Sequence, residues 1–167
     1  MGMANQRSQV VMSPDEVDTF LTQQRSSTVA TMGPNGQVHL VAMWYAWLDG
    51  HVWLETKAKS QKVVNLRRDP RMSFLVETGH TYDQLRGVSL EGNGVVVDDE
   101  KTVWDVCVNV FERYNAPYTE ELRPFVELMA KNRVVVRLDV DRVRSWDHRK
   151  LGLDPLELGG STAAFLD

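Results

Sequence analysis

Apolar and polar positions along this chain alternate mostly with a period of two, the mark of half-buried strands. Val134, Val136, Leu138 and Val140 alternate with Val135, Arg137 and Asp139 in the last such run, residues 133–146. Earlier runs predict strands over 27–32, 37–48, 51–56, 71–77 and 87–97, six in all. Asn35-Gly36 and Asp49-Gly50 separate three of them and are strong signals for tight hairpin turns. Gly92 and Gly94 interrupt the fifth run, where a bulge or barrel corner is expected. Four segments read as helices. Ser13-Pro14-Asp15-Glu16 combines a cap, a first-turn proline and a capping box, starting a helix to about Gln24. Ser60 is the expected cap of a short helix that Asp69-Pro70 ends at Arg68. Residues 98–114 and 119–130 are the other two. Six antiparallel strands with helices inserted late predict an α+β fold whose sheet curls into a small barrel.

The 167 residues fit a single domain, and 43% hydrophobic residues allow a full core without disulfides or metals. Residues 1–12 read as a flexible arm, 13–152 as the domain and 153–167 as a mobile tail. No apolar run approaches the ~20 residues of a membrane span, and residues 1–12 lack a signal-peptide core. The cytoplasm is the expected compartment. A net charge of −4 argues against nucleic acid, so an anionic ligand would need a local cluster of cations. The single cysteine, Cys107, excludes an internal disulfide and lies in an apolar stretch, as a buried thiol would. His39, His51, His80 and His148 show no metal-ligand spacing, and no nucleophile elbow occurs. Chemistry in such a chain would be carried by a bound cofactor.

Three segments could hold one. Thr56-Lys57-Ala58-Lys59-Ser60-Gln61-Lys62 joins a strand to a helix and gathers two hydroxyls and three ammonium groups. A phosphate suits the uncompensated amides of a helix start, although a solvated basic turn has the same composition. The run Leu40-Val41-Ala42-Met43-Trp44-Tyr45 carries apolar groups on both faces, either for double burial or to line a flat ligand. Trp146-Asp147-His148-Arg149 offers a stacking ring and two donors, or a plain strand end.

Together the aromatic strand, "WLETKAKSQKVVNLRRDPRMSFLVE", the glycine-bent strand and "SWDHRKLG" resemble the split β-barrel flavin-binding superfamily. That superfamily contains the pyridoxamine 5′-phosphate oxidases and the actinobacterial reductases that use the deazaflavin coenzyme F-420, and the likeness is strongest to the latter. The resemblance implies a homodimer with two sites at its interface. It places a flavin ring along Leu40, Val41, Ala42, Met43, Trp44 and Tyr45, and a phosphate on Glu55, Thr56, Ser60, Gln61 and Lys62. It brings Trp146 to the cofactor from the partner chain and counts Arg149 among the cofactor-binding residues. Lys57 and Lys59 would serve the longer anionic tail of the deazaflavin. Arginines of the pyridoxamine phosphate oxidases are replaced by Leu40 and Gln61, which argues against that activity. The implied function is hydride transfer from coenzyme F-420 to an unsaturated or quinone-like small molecule, with Tyr45 and His148 as candidate proton donors. The alternatives are an FMN-dependent oxidoreductase or a non-catalytic flavin- or haem-binding module.

Overall fold

The computed structural model of the protein describes residues 6–160. Seven strands, not six, form one antiparallel sheet: β1 (Ser27–Met32), β2 (Val38–Met43), β3 (Ala46–Leu48), β4 (His51–Lys57), β5 (Arg71–Thr78), β6 (Arg86–Val97) and β7 (Arg133–Asp147). Their order is β2-β1-β5-β6-β7-β4-β3. The extra strand arises because the expected run over 37–48 breaks at Trp44-Tyr45. There the Tyr45 amide donates to the Tyr114 hydroxyl at 3.1 Å instead of to a neighbouring strand.

This break explains the curl. β2 and β3 are consecutive in the chain yet stand at opposite edges of the sheet. Three residues of extended chain span at most ~11 Å, so the edges must approach each other. Among the described residues no ladder joins them, and the barrel is split along that line. The hairpins follow their turn residues: Asp49 and Gly50 both take positive φ, 52° and 70°, as a two-residue turn between twisted strands requires. The register of β6 against β7 shifts between Glu91 and Gly92, the bulge expected there.

The helices are α1 (Gln6–Val10), α2 (Pro14–Gln23), α3 (Gln61–Arg68), α4 (Glu100–Tyr114) and α5 (Arg123–Ala130), with single 3-10 turns at 82–84, 120–122 and 148–151. None is long and apolar enough to cross a membrane. The capping box of α2 forms on both sides: Glu16 N–H donates to Ser13 Oγ at 3.2 Å and Ser13 N–H to Glu16 Oε2 at 2.6 Å. Of the flexible arm expected over residues 1–12, residues 1–5 lie outside the described residues, and residues 6–12 are not loose. The latter carry α1, bury Val10 and Met12, and tie the Met12 amide to Ser145 Oγ at 3.1 Å. Of the expected tail, residues 153–160 have no regular structure and are exposed, while 161–167 lie outside the described residues.

Two cores result. Val29, Leu54, Phe74, Val88, Val136 and Leu138 fill the barrel. Val103, Val106, Cys107, Val110 and Val126 from α4 and α5 pack with Val135 and Ala46 on the outside of β3, β4 and β7. Val134, Val135 and Val136 are therefore buried on both faces, where simple alternation predicts one exposed side.

A cationic groove at the split of the barrel

An open groove of about 370 Å³ lies at the split. Its apolar wall is Val41, Ala42, Met43 and Trp44 from β2 and the break after it. Its floor is Glu55, Thr56 and Lys57 from the end of β4, Ser60 and Lys62 from the start of α3, and Arg133 from the start of β7. The order of the chain explains the floor. β4 pairs with β7 so that Lys57 stands opposite Arg133, and α3 begins at Gln61, directly after the turn in which the Ser60 N–H donates to the Lys57 carbonyl.

The polar groups are already joined to one another. Lys62 Nζ donates to Thr56 Oγ1 at 3.1 Å, and the Thr56 and Ser60 hydroxyls are 3.1 Å apart. Ser60 holds the cap position of α3, but its hydroxyl makes no cap bond, contrary to expectation. It turns to Thr56, which leaves the first-turn amides of α3 without a side-chain partner from this residue. Arg133 lies 3.3 Å from Glu55 Oε2, yet that oxygen is buried and accepts no hydrogen bond. Burial pushes the Glu55 carboxyl up from its ordinary value, against the opposing pull of Arg133 and Lys62. Burial also lowers Lys62, helped by repulsion from Arg133 and opposed by Glu55. Trp44 is 56% exposed at the end of the wall and stacks on Tyr114, with centroids 4.4 Å apart and planes within 5°.

The groove thus gathers Val41, Ala42, Met43, Trp44, Glu55, Thr56, Lys57, Ser60 and Lys62 from the expected set. Leu40 and Lys59 are exposed and do not line it. Gln61 does not line it either; its amide donates to Asn65 Oδ1 at 2.8 Å, and Asn65, fully buried, donates to Thr31 Oγ1 at 3.0 Å. Tyr45 is no proton donor to a ligand in this groove. It is fully buried, its hydroxyl bonds to the Leu21 and Gln24 carbonyls at 2.7 and 2.9 Å, and burial raises its pKa further. Trp146 and His148 line a separate depression with Tyr82, whose ring is 4.4 Å from that of His148. Arg149 lines a third with Phe20 and Arg86 and is held by Asp147. Arg133 is the residue that motif reading missed, because only strand pairing brings it to Lys57. Cys107 is buried, and that burial, together with the negative charge of Glu55, pushes its thiol up to about 12.

A half-open antiparallel barrel with flanking helices is the architecture of a split barrel. The family described as pyridoxamine 5′-phosphate oxidase matches residues 13–147, and the chain belongs to it. Among solved structures it is similar to the conserved hypothetical protein Rv2991 from Mycobacterium tuberculosis, at 57% identity and a TM-score of 0.92, over 96% of this chain and 100% of that one. An F-420 reductase shares the fold at 22% identity and a TM-score of 0.59, over 75% and 94% of the two chains. So does HutZ, a haem storage protein from Vibrio cholerae, at 11% identity and a TM-score of 0.63, over 80% and 96%. No curated protein matches the sequence.

Proposed function

We propose that this protein is an oxidoreductase that uses the deazaflavin coenzyme F-420 to reduce an unsaturated or quinone-like small molecule, as a cytoplasmic homodimer. The observation that carries this reading is the composition of one continuous groove: an apolar, aromatic-ended wall running onto a floor of two hydroxyls, three cations and one carboxylate. A planar ring matches the wall and a phosphate-bearing tail matches the floor. The donor set fits such a group, since Thr56 and Lys62 are mutually oriented before any ligand arrives. When bound, the reduced deazaflavin would supply the hydride. The residues of the chain orient the ring against β2, neutralise the tail and exclude water at the Trp44–Tyr114 end.

Two features favour the deazaflavin over FMN. Leu40 and Gln61 stand where the pyridoxamine phosphate oxidases resembled by this sequence carry arginines, and Gln61 is engaged by Asn65. Lys57, Lys59 and Arg133 supply positive charge around the turn for a tail longer than one phosphate. Trp146, His148 and Arg149 lie outside the groove of their own chain, so they reach a cofactor only if a second copy presents them. His148 is then the proton donor still in place.

Titrating purified protein with FMN and with coenzyme F-420 side by side tests the reading. Tighter binding of the deazaflavin is expected. An FMN affinity ten times better, a gap of about 1.4 kcal/mol, would overturn it. Light scattering should give the mass of two chains, and a stable monomer at micromolar concentration would remove the homodimer.

A further inference from the structure

The groove holds one group that an anion site should avoid, the carboxylate of Glu55. Its side chain is 18% exposed, and its Oε2 is buried without a hydrogen bond. The charged and titratable groups around it are Arg133 from β7, Lys62 from α3, Lys57 from its own strand and the Cys107 thiol from α4, while the facing wall brings only Val41, Ala42, Met43 and Trp44. Without a ligand Glu55 has a clear use, because it offsets the repulsion between Arg133 and Lys62. With an anion on the floor that use ends. Both cations turn to the new charge, and a buried carboxylate is left beside another negative group. Ionised carboxyls in that position neutralise rather than stay charged.

We propose that an anion entering this groove draws Arg133 away from Glu55, and that Glu55 then takes up a proton from solvent, so that anion binding and protonation of Glu55 are one coupled event. This rests on the reading of the groove as an anion site and adds a selectivity to it. The balance is simple: one proton leaves water or buffer and bonds to a Glu55 carboxylate oxygen, with no electron transfer. Arg133 becomes a ligand-contacting residue whose availability is set by Glu55. Coupling of this kind makes anion affinity fall as pH rises, by up to tenfold per pH unit while the free protein holds Glu55 ionised and the complex holds it protonated. The burial that raises the Glu55 pKa moves that window toward neutrality. Lys62 adds a second, separate window on the alkaline side, where it begins to lose its charge.

Sulfate is the probe, since it does not titrate in this range. Its dissociation constant is measured from pH 5 to pH 8 for the wild type, Glu55→Gln and Arg133→Gln, with infrared difference spectra recorded on sulfate addition. The wild type should bind sulfate more weakly as pH rises and should show a new protonated-carboxyl band. Glu55→Gln should lack the band, lose the acid-side pH dependence and bind more tightly than wild type at pH 8. Arg133→Gln should bind more weakly at every pH. Sulfate binding by the wild type with no carboxyl band and a flat pH profile would overturn the coupling and leave the anion site standing. No sulfate binding by the wild type would remove both. The wild-type spectrum decides the question by itself if Glu55→Gln fails to fold.

Discussion

Replacing Lys62 with alanine removes one of three cations from the groove and puts a better helix former on α3. Lys62 is half-buried, with its Nζ 3.1 Å from Thr56 Oγ1. A phosphate on the floor would take a charge-assisted hydrogen bond from it. Such a bond is worth roughly 1.5–3 kcal/mol, so the cofactor dissociation constant should rise roughly ten- to a hundred-fold. Salt provides the second readout. Between about 0.1 M and about 1 M the Debye length falls from ~10 Å to ~3 Å, and the variant should lose less affinity over that range than the wild type. Folding should change little. The lysine gains from Glu55 and loses to Arg133, and removing it cancels one against the other. A net effect under about 1 kcal/mol would move the melting temperature of a chain this size by no more than ~4 °C. Fluorescence titration at two salt concentrations, beside a melting curve, measures all three quantities. Unchanged affinity with an unchanged salt slope would refute the reasoning and take residues 56–62 out of the site.

Glu55→Gln bears on stability as well as binding. A carboxyl whose folded pKa is raised binds more protons folded than unfolded, so its contribution is full below the unfolded value of about 4.5 and lost as pH rises through the folded one. The wild type should therefore melt lower, relative to Glu55→Gln, on going from acid to neutral pH in sulfate-free buffer. Asn65→Ala should cost about 1–3 kcal/mol in denaturant unfolding, because it strips the buried Thr31 hydroxyl of its donor and frees Gln61. Gly92→Ala should destabilise by about 1–3 kcal/mol, since a Cβ there meets the Asp139 backbone carbonyl across the bulge; an unchanged melting curve would show that the bulge relaxes freely.

Much of this was legible because it is local. The capping box at Ser13, the turns at Asn35-Gly36 and Asp49-Gly50, the bulge at Gly92 and the density of cations between Thr56 and Lys62 each depend on residues within a few positions of one another. What escaped depends on distant chain. The break at Trp44-Tyr45 is decided by a hydroxyl 69 positions away on Tyr114, and no alternation pattern shows it. Tyr45 reads as a member of the ligand wall, but that same break turns it inward to α2. Arg133 is one basic residue among nineteen until β4 and β7 pair and set it beside Lys57 and Glu55. Residues 6–12 look featureless because their partner, Ser145, is 133 positions on from Met12.

The two residues that cross from β2 to β3 act as a calliper. With no ladder between those edges among the described residues, the gap is fixed by the reach of a short covalent tether and by the Tyr114 hydroxyl that pins it, rather than by hydrogen-bonded register. A substitution in the wall changes what the groove touches, whereas lengthening the tether would change how wide it opens. Variation in length at Trp44-Tyr45 is therefore a route to a different ligand size that leaves every floor residue and both cores in place.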